Sequence, residues 1–136
     1  MRVFLDANIL FSAAKSDGAV RAMLQLLVDR GHDCRADAYV VTEARRNLTA
    51  KGPEALDVLN TLLADLQIAA ATPAAEQSGD LDWLPEKDRP VLAAAIRLAC
   101  EVLVTGDRTH FGPGYGQTFG GVTIHSPRSL VEQLLA

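Results

Sequence analysis

Hydrophobic positions along the chain alternate between short continuous runs and longer stretches at helical spacing. The first run, Val3-Phe4-Leu5, ends in Asp6-Ala7-Asn8. An uninterrupted apolar run closed by a carboxylate and an amide predicts a fully buried strand that delivers polar groups at its carboxyl end. Ligands bind at that end of an open α/β sheet, so this strand is expected to lie centrally, with Asp6 on the floor of a cleft. Ile9 to Ala14 then predicts one or two helical turns, broken by Ser16-Asp17-Gly18. Val20, Met23, Leu24, Leu27 and Val28 follow at helical spacing, and Gly31 supplies a C-terminal stop.

Asp33 to Ala36 predicts a brief second strand, after which Asp37 caps a helix over 38–50. Gly52-Pro53 separates that helix from a leucine-dense one over 54–66, and the two are expected to form a hairpin. Gln67 to Thr72 predicts a short third strand, and Pro73 to Pro85 the longest irregular connection. Asp88-Arg89-Pro90 opens a helix reaching about Cys100, and Val102-Leu103-Val104-Thr105 forms a fourth strand ended by Gly106-Asp107. A glycine-rich loop is expected over 111–121, then a last strand at Val122-Thr123-Ile124. Ser126-Pro127 starts a final helix with Leu130, Val131, Leu134 and Leu135 inward. Strands alternating with helices predict one α/β domain over residues 1–136: a central parallel sheet of about five short strands with helices on both faces.

Composition narrows the function classes. With 49% hydrophobic residues the chain has ample material for a core, and a net charge of −4 argues against holding nucleic acid through a broad basic surface. A nucleic-acid enzyme stays open, because acids that bind divalent cations present a different charge to a phosphate than the formal count. Cys34 and Cys100 form no C-x-x-C pair and are expected to be buried, reduced thiols. No apolar run reaches the roughly 18 residues of a membrane span, and the first residues lack a signal-peptide pattern. A soluble, cytoplasmic protein is expected.

Asp6 and Asp107 follow apolar strands, Asp88 stands at a helix start and Glu43 lies on a helix face. Taken singly, each has a plain structural reading: Asp6 and Asp88 as helix caps, Asp107 as a turn residue, Glu43 paired with Arg46. Taken together they suggest carboxylates gathered at one sheet edge, where they repel unless they share protons or bind cations. Ligation by oxygen alone favours Mg²⁺ or Mn²⁺ over zinc, and His32, His110 and His125 show no metal-ligand spacing. The chain has no serine or cysteine triad signature and no Walker-type phosphate loop. Acids acting through metal then point to phosphodiester hydrolysis, with Arg45, Arg46, Arg89 and Arg108 as candidates to meet the substrate backbone.

Val3 to Leu10, Glu43, the run Asp88-Arg89-Pro90-Val91-Leu92-Ala93-Ala94-Ala95-Ile96 and Leu103-Val104-Thr105-Gly106-Asp107 together resemble the PIN-domain nucleases over nearly the whole chain. The resemblance implies a Mg²⁺ or Mn²⁺ site on Asp6, Glu43, Asp88 and Asp107, supported by Asn8 and Thr105, that cuts RNA. The small members resemble VapC-type toxins, which implies a protein antitoxin and a homodimer. Two alternatives stand beside this reading. A haloacid-dehalogenase-like phosphatase also places an Asp after its first strand, but needs Asp-x-Asp where this chain has Asp6-Ala7-Asn8. A non-catalytic PIN-like binding module is the other.

Overall fold

The apolar run near the amino end forms the strand on which the sheet is built. In the computed structural model, which describes residues 1–71 and 79–136, β1 (Arg2–Leu5) pairs in parallel with β2 (Asp33–Asp37) on one side and β4 (Val102–Val104) on the other. Side chains alternate faces along a strand, and Val3, Phe4 and Leu5 are all fully buried, so both faces of β1 are covered. β3 (Gln67–Ala69) extends the sheet beyond β2 and β6 (Val122–His125) extends it beyond β4, both in parallel.

A sixth strand, β5 (Thr118–Phe119), pairs antiparallel with β6 at the edge, giving the order β3-β2-β1-β4-β6-β5. The five parallel strands match the sequence expectation; β5 corrects it, because the segment expected to be a loop contains a hairpin. Gly120 and Gly121 connect the paired residues Phe119 and Val122 with φ of 56° and 83°. Two successive positive φ values are what a two-residue hairpin turn requires, and glycine adopts them without strain.

The helices follow the expected pattern with shifted ends. α1 (Ala7–Lys15) begins directly after Asp6 and runs nine residues, longer than the one or two turns expected. α2 (Ala19–Asp29) ends with Gly31 at φ 74°. α3 (Ala38–Lys51) is capped by Asp37, whose Oδ1 accepts from the Val40 N–H at 3.1 Å. α4 (Leu56–Leu63) starts after a 3-10 turn at Pro53–Ala55 and packs against α1 and α3. It is shorter than the stretch expected over 54–66, with Leu66 lying beyond its end. α5 (Arg89–Arg97) stops before Cys100, and Ala99 just past its end takes φ 56°. The 111–121 stretch also contains the end of a short helix, α6 (Arg108–Phe111), and a 3-10 turn at Gly112–Gly114. α7 (Pro127–Leu135) is capped by Ser126, which accepts from the Ser129 N–H at 3.1 Å. Leu130 points inward as expected, whereas Leu135 is 63% exposed.

β3 ends at Ala69, short of the expected stretch, since Ala70 and Ala71 are not in a strand; Thr72 and the first part of the long connection from Pro73 lie outside the described residues. The described part of that connection folds back onto the core. Leu81 and Leu84 are buried, and the Trp83 ring stacks on Phe119 at 5.0 Å and meets Phe111 edge-on at 6.4 Å. A Cβ on Gly114 would lie 2.4 Å from the Trp83 ring. Gly114→Ala is therefore expected to lower stability by roughly 1–3 kcal/mol through overpacking, read as a shift in the urea midpoint. Cys34 and Cys100 are buried and unbridged, and burial pushes both thiols up to about 11, as inert structural cysteines should be.

Candidate active site

Strand order reverses between β1 and β4: the chain builds β2 and β3 on one side of β1, then returns to build β4 and β6 on the other. Such a switch point leaves a crevice at the carboxyl ends of the two strands, and Asp6 follows one while Thr105, Gly106 and Asp107 follow the other. The two strand ends are stitched together. The Asp6 N–H donates to the Val104 carbonyl at 3.2 Å, and the Thr105 hydroxyl donates to Asp6 Oδ2 at 2.8 Å. Asn8 Nδ2 donates to Asp6 Oδ2 at 3.2 Å and to Thr105 Oγ1 at 3.1 Å, while Asn8 Oδ1 accepts from the Gly106 N–H at 2.8 Å. Thr105 Oγ1 also accepts from the Asp107 N–H at 3.2 Å.

This network fixes the chemistry of Asp6. Its Oδ1 accepts from the Ala7 N–H at 2.7 Å, so all its partners are donors and the site is shaped for a carboxylate. Yet Asp6 is only 6% exposed, and burial pushes it up to about 6, with repulsion from Asp88 and Glu43 adding to the rise. The hydrogen bonds from Thr105 and Ala7 pull the other way and do not prevail.

A cleft of about 440 Å³ opens above Asp6 and is lined by Asn8, Glu43, Lys87, Asp88 and Asp107 among others. α3 carries Glu43 there, half-buried; among the described residues it makes no ion pair with Arg46. Tyr39, one turn earlier on α3, donates its hydroxyl to the Lys87 carbonyl at 2.7 Å and so ties the helix to the segment bearing Asp88. Burial also raises Asp88, and Asp107 raises it further.

Asp88 corrects one expectation. It precedes α5, but its side chain makes no capping bond. Its backbone is helical, at φ −96° and ψ −16°, because it closes a 3-10 turn at Glu86–Asp88 that runs on into α5. A side-chain cap needs an extended residue at that position. The carboxylate turns instead to His110, with Oδ2 2.9 Å from Nδ1. Asp107 reaches the same nitrogen: its Oδ2 is 3.0 Å from His110 Nδ1, while its Oδ1 accepts from the His110 N–H at 3.1 Å and caps α6.

His110, which the structure sets against Asp88 and Asp107, is not among the site residues expected from the sequence. The spacing Asp107-Arg108-Thr109-His110 puts both side chains on one side of a first helical turn, which was the available signal. Of the arginines, Arg45, Arg46 and Arg108 are exposed. Arg89 is half-buried, and its guanidinium donates to the carbonyls of Leu84 at 2.9 Å and Asp82 at 3.4 Å.

The donors at the cleft fit a divalent cation. His110 Nδ1 and Asp88 Oδ2 are both buried atoms, 2.9 Å apart, and neither makes a hydrogen bond of acceptable geometry. One ligand atom from each of Asp88, Asp107 and His110 lies within 4.8 Å of the others. Ligands at adjacent positions of an octahedral ion with bonds of roughly 2.1 Å stand about 3 Å apart, the spacing seen here.

The PIN domain family matches the chain over residues 2–109. The chain belongs to the PIN-domain family. PIN domains are in general nucleases that use divalent metal ions. The fold agrees with solved PIN structures. VapBC2 from Rickettsia felis, bound to a DNA fragment from its promoter, superposes with a TM-score of 0.69 at 18% identity, covering 93% of this chain and 98% of that one. VapBC-1 from nontypeable Haemophilus influenzae gives 0.63 at 12% identity, covering 94% and 99%. FitAB bound to the IR36 DNA fragment gives 0.59 at 15% identity, covering 92% and 94%. No curated protein matches the chain in sequence.

Proposed function

We propose that this PIN domain is a metal-dependent endoribonuclease, the toxin of a toxin–antitoxin pair. The observation that carries the reading is that one cleft at the strand switch point is lined by Asp6, Glu43, Asp88 and Asp107 together. When bound there, Mg²⁺ or Mn²⁺ would lower the pKa of a coordinated water and neutralise charge on the scissile phosphate. The chain's own residues set the stage. Thr105 and Asn8 hold Asp6 in one orientation as an acceptor, Tyr39 anchors the backbone beside Asp88, and Asp107 is fixed by its cap on α6. Arg45, Arg46 and Arg108 are the exposed cations proposed to meet the RNA backbone, while Asn8 and Thr105 support the acids.

The test is a digestion of total RNA with Mg²⁺, with Mn²⁺ and with EDTA. Wild type should cut only with metal, and Asp6→Asn should lose on the order of 100-fold or more. Thr105→Val, which removes the donor to Asp6 but no ligand, should lose roughly 10- to 100-fold. Hydrolysis of a phosphomonoester without RNA cutting would restore the phosphatase alternative, for which family membership leaves no other support. Inactivity with tight partner binding would favour a non-catalytic module.

A protein antitoxin and a second copy of the chain are the proposed partners, in a cytoplasmic setting. Three observations support this: the VapBC and FitAB solved structures, the absence of any membrane-spanning helix among the described residues, and apolar side chains on and beyond α4. There Leu56, Val58, Leu62 and Leu63 are only partly buried, and Ile68 is 44% exposed. Sedimentation of the purified chain should show a dimer; a monomer mass independent of concentration would overturn the homodimer.

A further inference from the structure

We propose that His110 is a nitrogen ligand of the cation at this cleft and that it biases the site toward Mn²⁺ over Mg²⁺. The inference rests on the metal-dependent reading above and adds a residue outside the four acids. Its basis is the position of Nδ1, 2.9 Å from Asp88 Oδ2 and 3.0 Å from Asp107 Oδ2, with no hydrogen bond made to either. A histidine that served only to bridge two carboxylates would align its N–H with one of them. Here one nitrogen stands within 3.0 Å of an oxygen of each carboxylate and is aligned with neither, the crowding expected of ligands that share one centre.

The position is fixed from the backbone. Asp107 caps α6 through the His110 N–H, so the turn that delivers one carboxylate also aims the imidazole at it. Replacing one oxygen donor by imidazole changes which ion the set prefers. Mg²⁺ favours oxygen and gives up its waters reluctantly, whereas imidazole suits the transition series. A site of carboxylates with one imidazole therefore shifts toward Mn²⁺ without becoming the closed nitrogen and sulfur cage of structural zinc.

Mn²⁺ bound to the full chain, without RNA, is a direct probe, because pulsed electron paramagnetic resonance detects a directly bound ¹⁴N through its modulation of the echo. Wild type should show that modulation, and His110→Ala should lose it while binding Mn²⁺ roughly 10- to 100-fold more weakly. Mg²⁺ affinity, measured by competition, should change less. His125→Ala, whose ring contacts Ser129 at 2.9 Å away from the cleft, should keep the modulation. Mn²⁺ bound by wild type without ¹⁴N modulation, or modulation that survives in His110→Ala, overturns the ligand role and leaves the nuclease reading intact. Failure of wild type to bind either ion overturns the nuclease reading, and this inference with it. The wild-type spectrum decides the question even if the variant does not fold.

Discussion

At a hundredfold excess over its dissociation constant, Mn²⁺ is expected to raise the melting temperature of wild type by roughly 10 °C and that of Asp88→Ala hardly at all. Binding to the native state alone contributes about 2.7 kcal/mol at that excess, and for a chain of this length about 1 kcal/mol moves the midpoint by roughly 3–5 °C. Asp88 is the informative position because its side chain has no structural task that competes with a ligand role. It makes no cap bond to α5, and its partner is the His110 nitrogen. In EDTA, Asp88→Ala and Asp88→Asn should therefore unfold at the same point, at or above wild type, since burial of the Asp88 charge, with repulsion from Asp107, outweighs its attraction to His110 and Lys87. A Mn²⁺ response in Asp88→Ala equal to wild type would remove Asp88 from the site. An alanine variant less stable than the asparagine one would restore the cap.

What the sequence made legible follows from where the physical signal resides. Val3 to Leu5 could be read as the central strand because burial on both faces leaves no polar position, and Asp6 could be placed in the crevice because strand ends in parallel sheets open there. Caps whose geometry is set by an extended residue, at Asp37 and Ser126, were legible for the same local reason. Asp88 was not, because its capping role depended on φ and ψ, and these are set by the Glu86–Asp88 turn before it. The hairpin at Gly120-Gly121 carried a readable sign, but a strand of only Thr118 and Phe119 is too short to show alternation. His110 does not stand out in the sequence because the spacing between the three histidines carries no ligand pattern. Its partners are Asp107, three residues before it, and Asp88, twenty-two residues earlier on another element. The Trp83 packing that brings the 79–88 segment to the sheet edge is tertiary, and no local pattern announces it.

Metal-free protein should lose stability as pH rises through the range where Asp6 ionises. The group sits at about 6 in the folded chain against an ordinary 3.8, so the native state binds its proton more tightly than the unfolded chain does. Its contribution is then present below about 4 and is lost as pH rises to about 6. A difference of about two pKa units corresponds to roughly 3 kcal/mol. Asp37 and Asp88, also raised by burial, push the same way. Asp33, lowered by its hydrogen bond from Arg35, opposes them, contributing stability that is lost only as the solution becomes strongly acidic. His32 and His125, lowered by burial, also oppose, because their unfolded forms take up protons first as pH falls below about 6.5. The raw pH profile therefore mixes signs, and the difference between wild type and Asp6→Asn isolates the one group. Asparagine cannot titrate, but both Asp6 oxygens accept bonds, so its NH2 would face a donor in either orientation: the Ala7 N–H, or Asn8 Nδ2, which is held as a donor because Asn8 Oδ1 accepts from Gly106. That penalty is constant with pH, so it offsets the curve without tilting it. Measured by urea unfolding in EDTA, wild type minus Asp6→Asn should fall by about 3 kcal/mol between pH 4 and pH 8. With saturating Mn²⁺ present the fall should disappear, because a cation held by Asp6 stabilises the carboxylate that burial disfavours. A difference that stays flat in EDTA would mean that the donors around Asp6 already offset its burial, and the cleft would then need no cation to be stable at neutral pH.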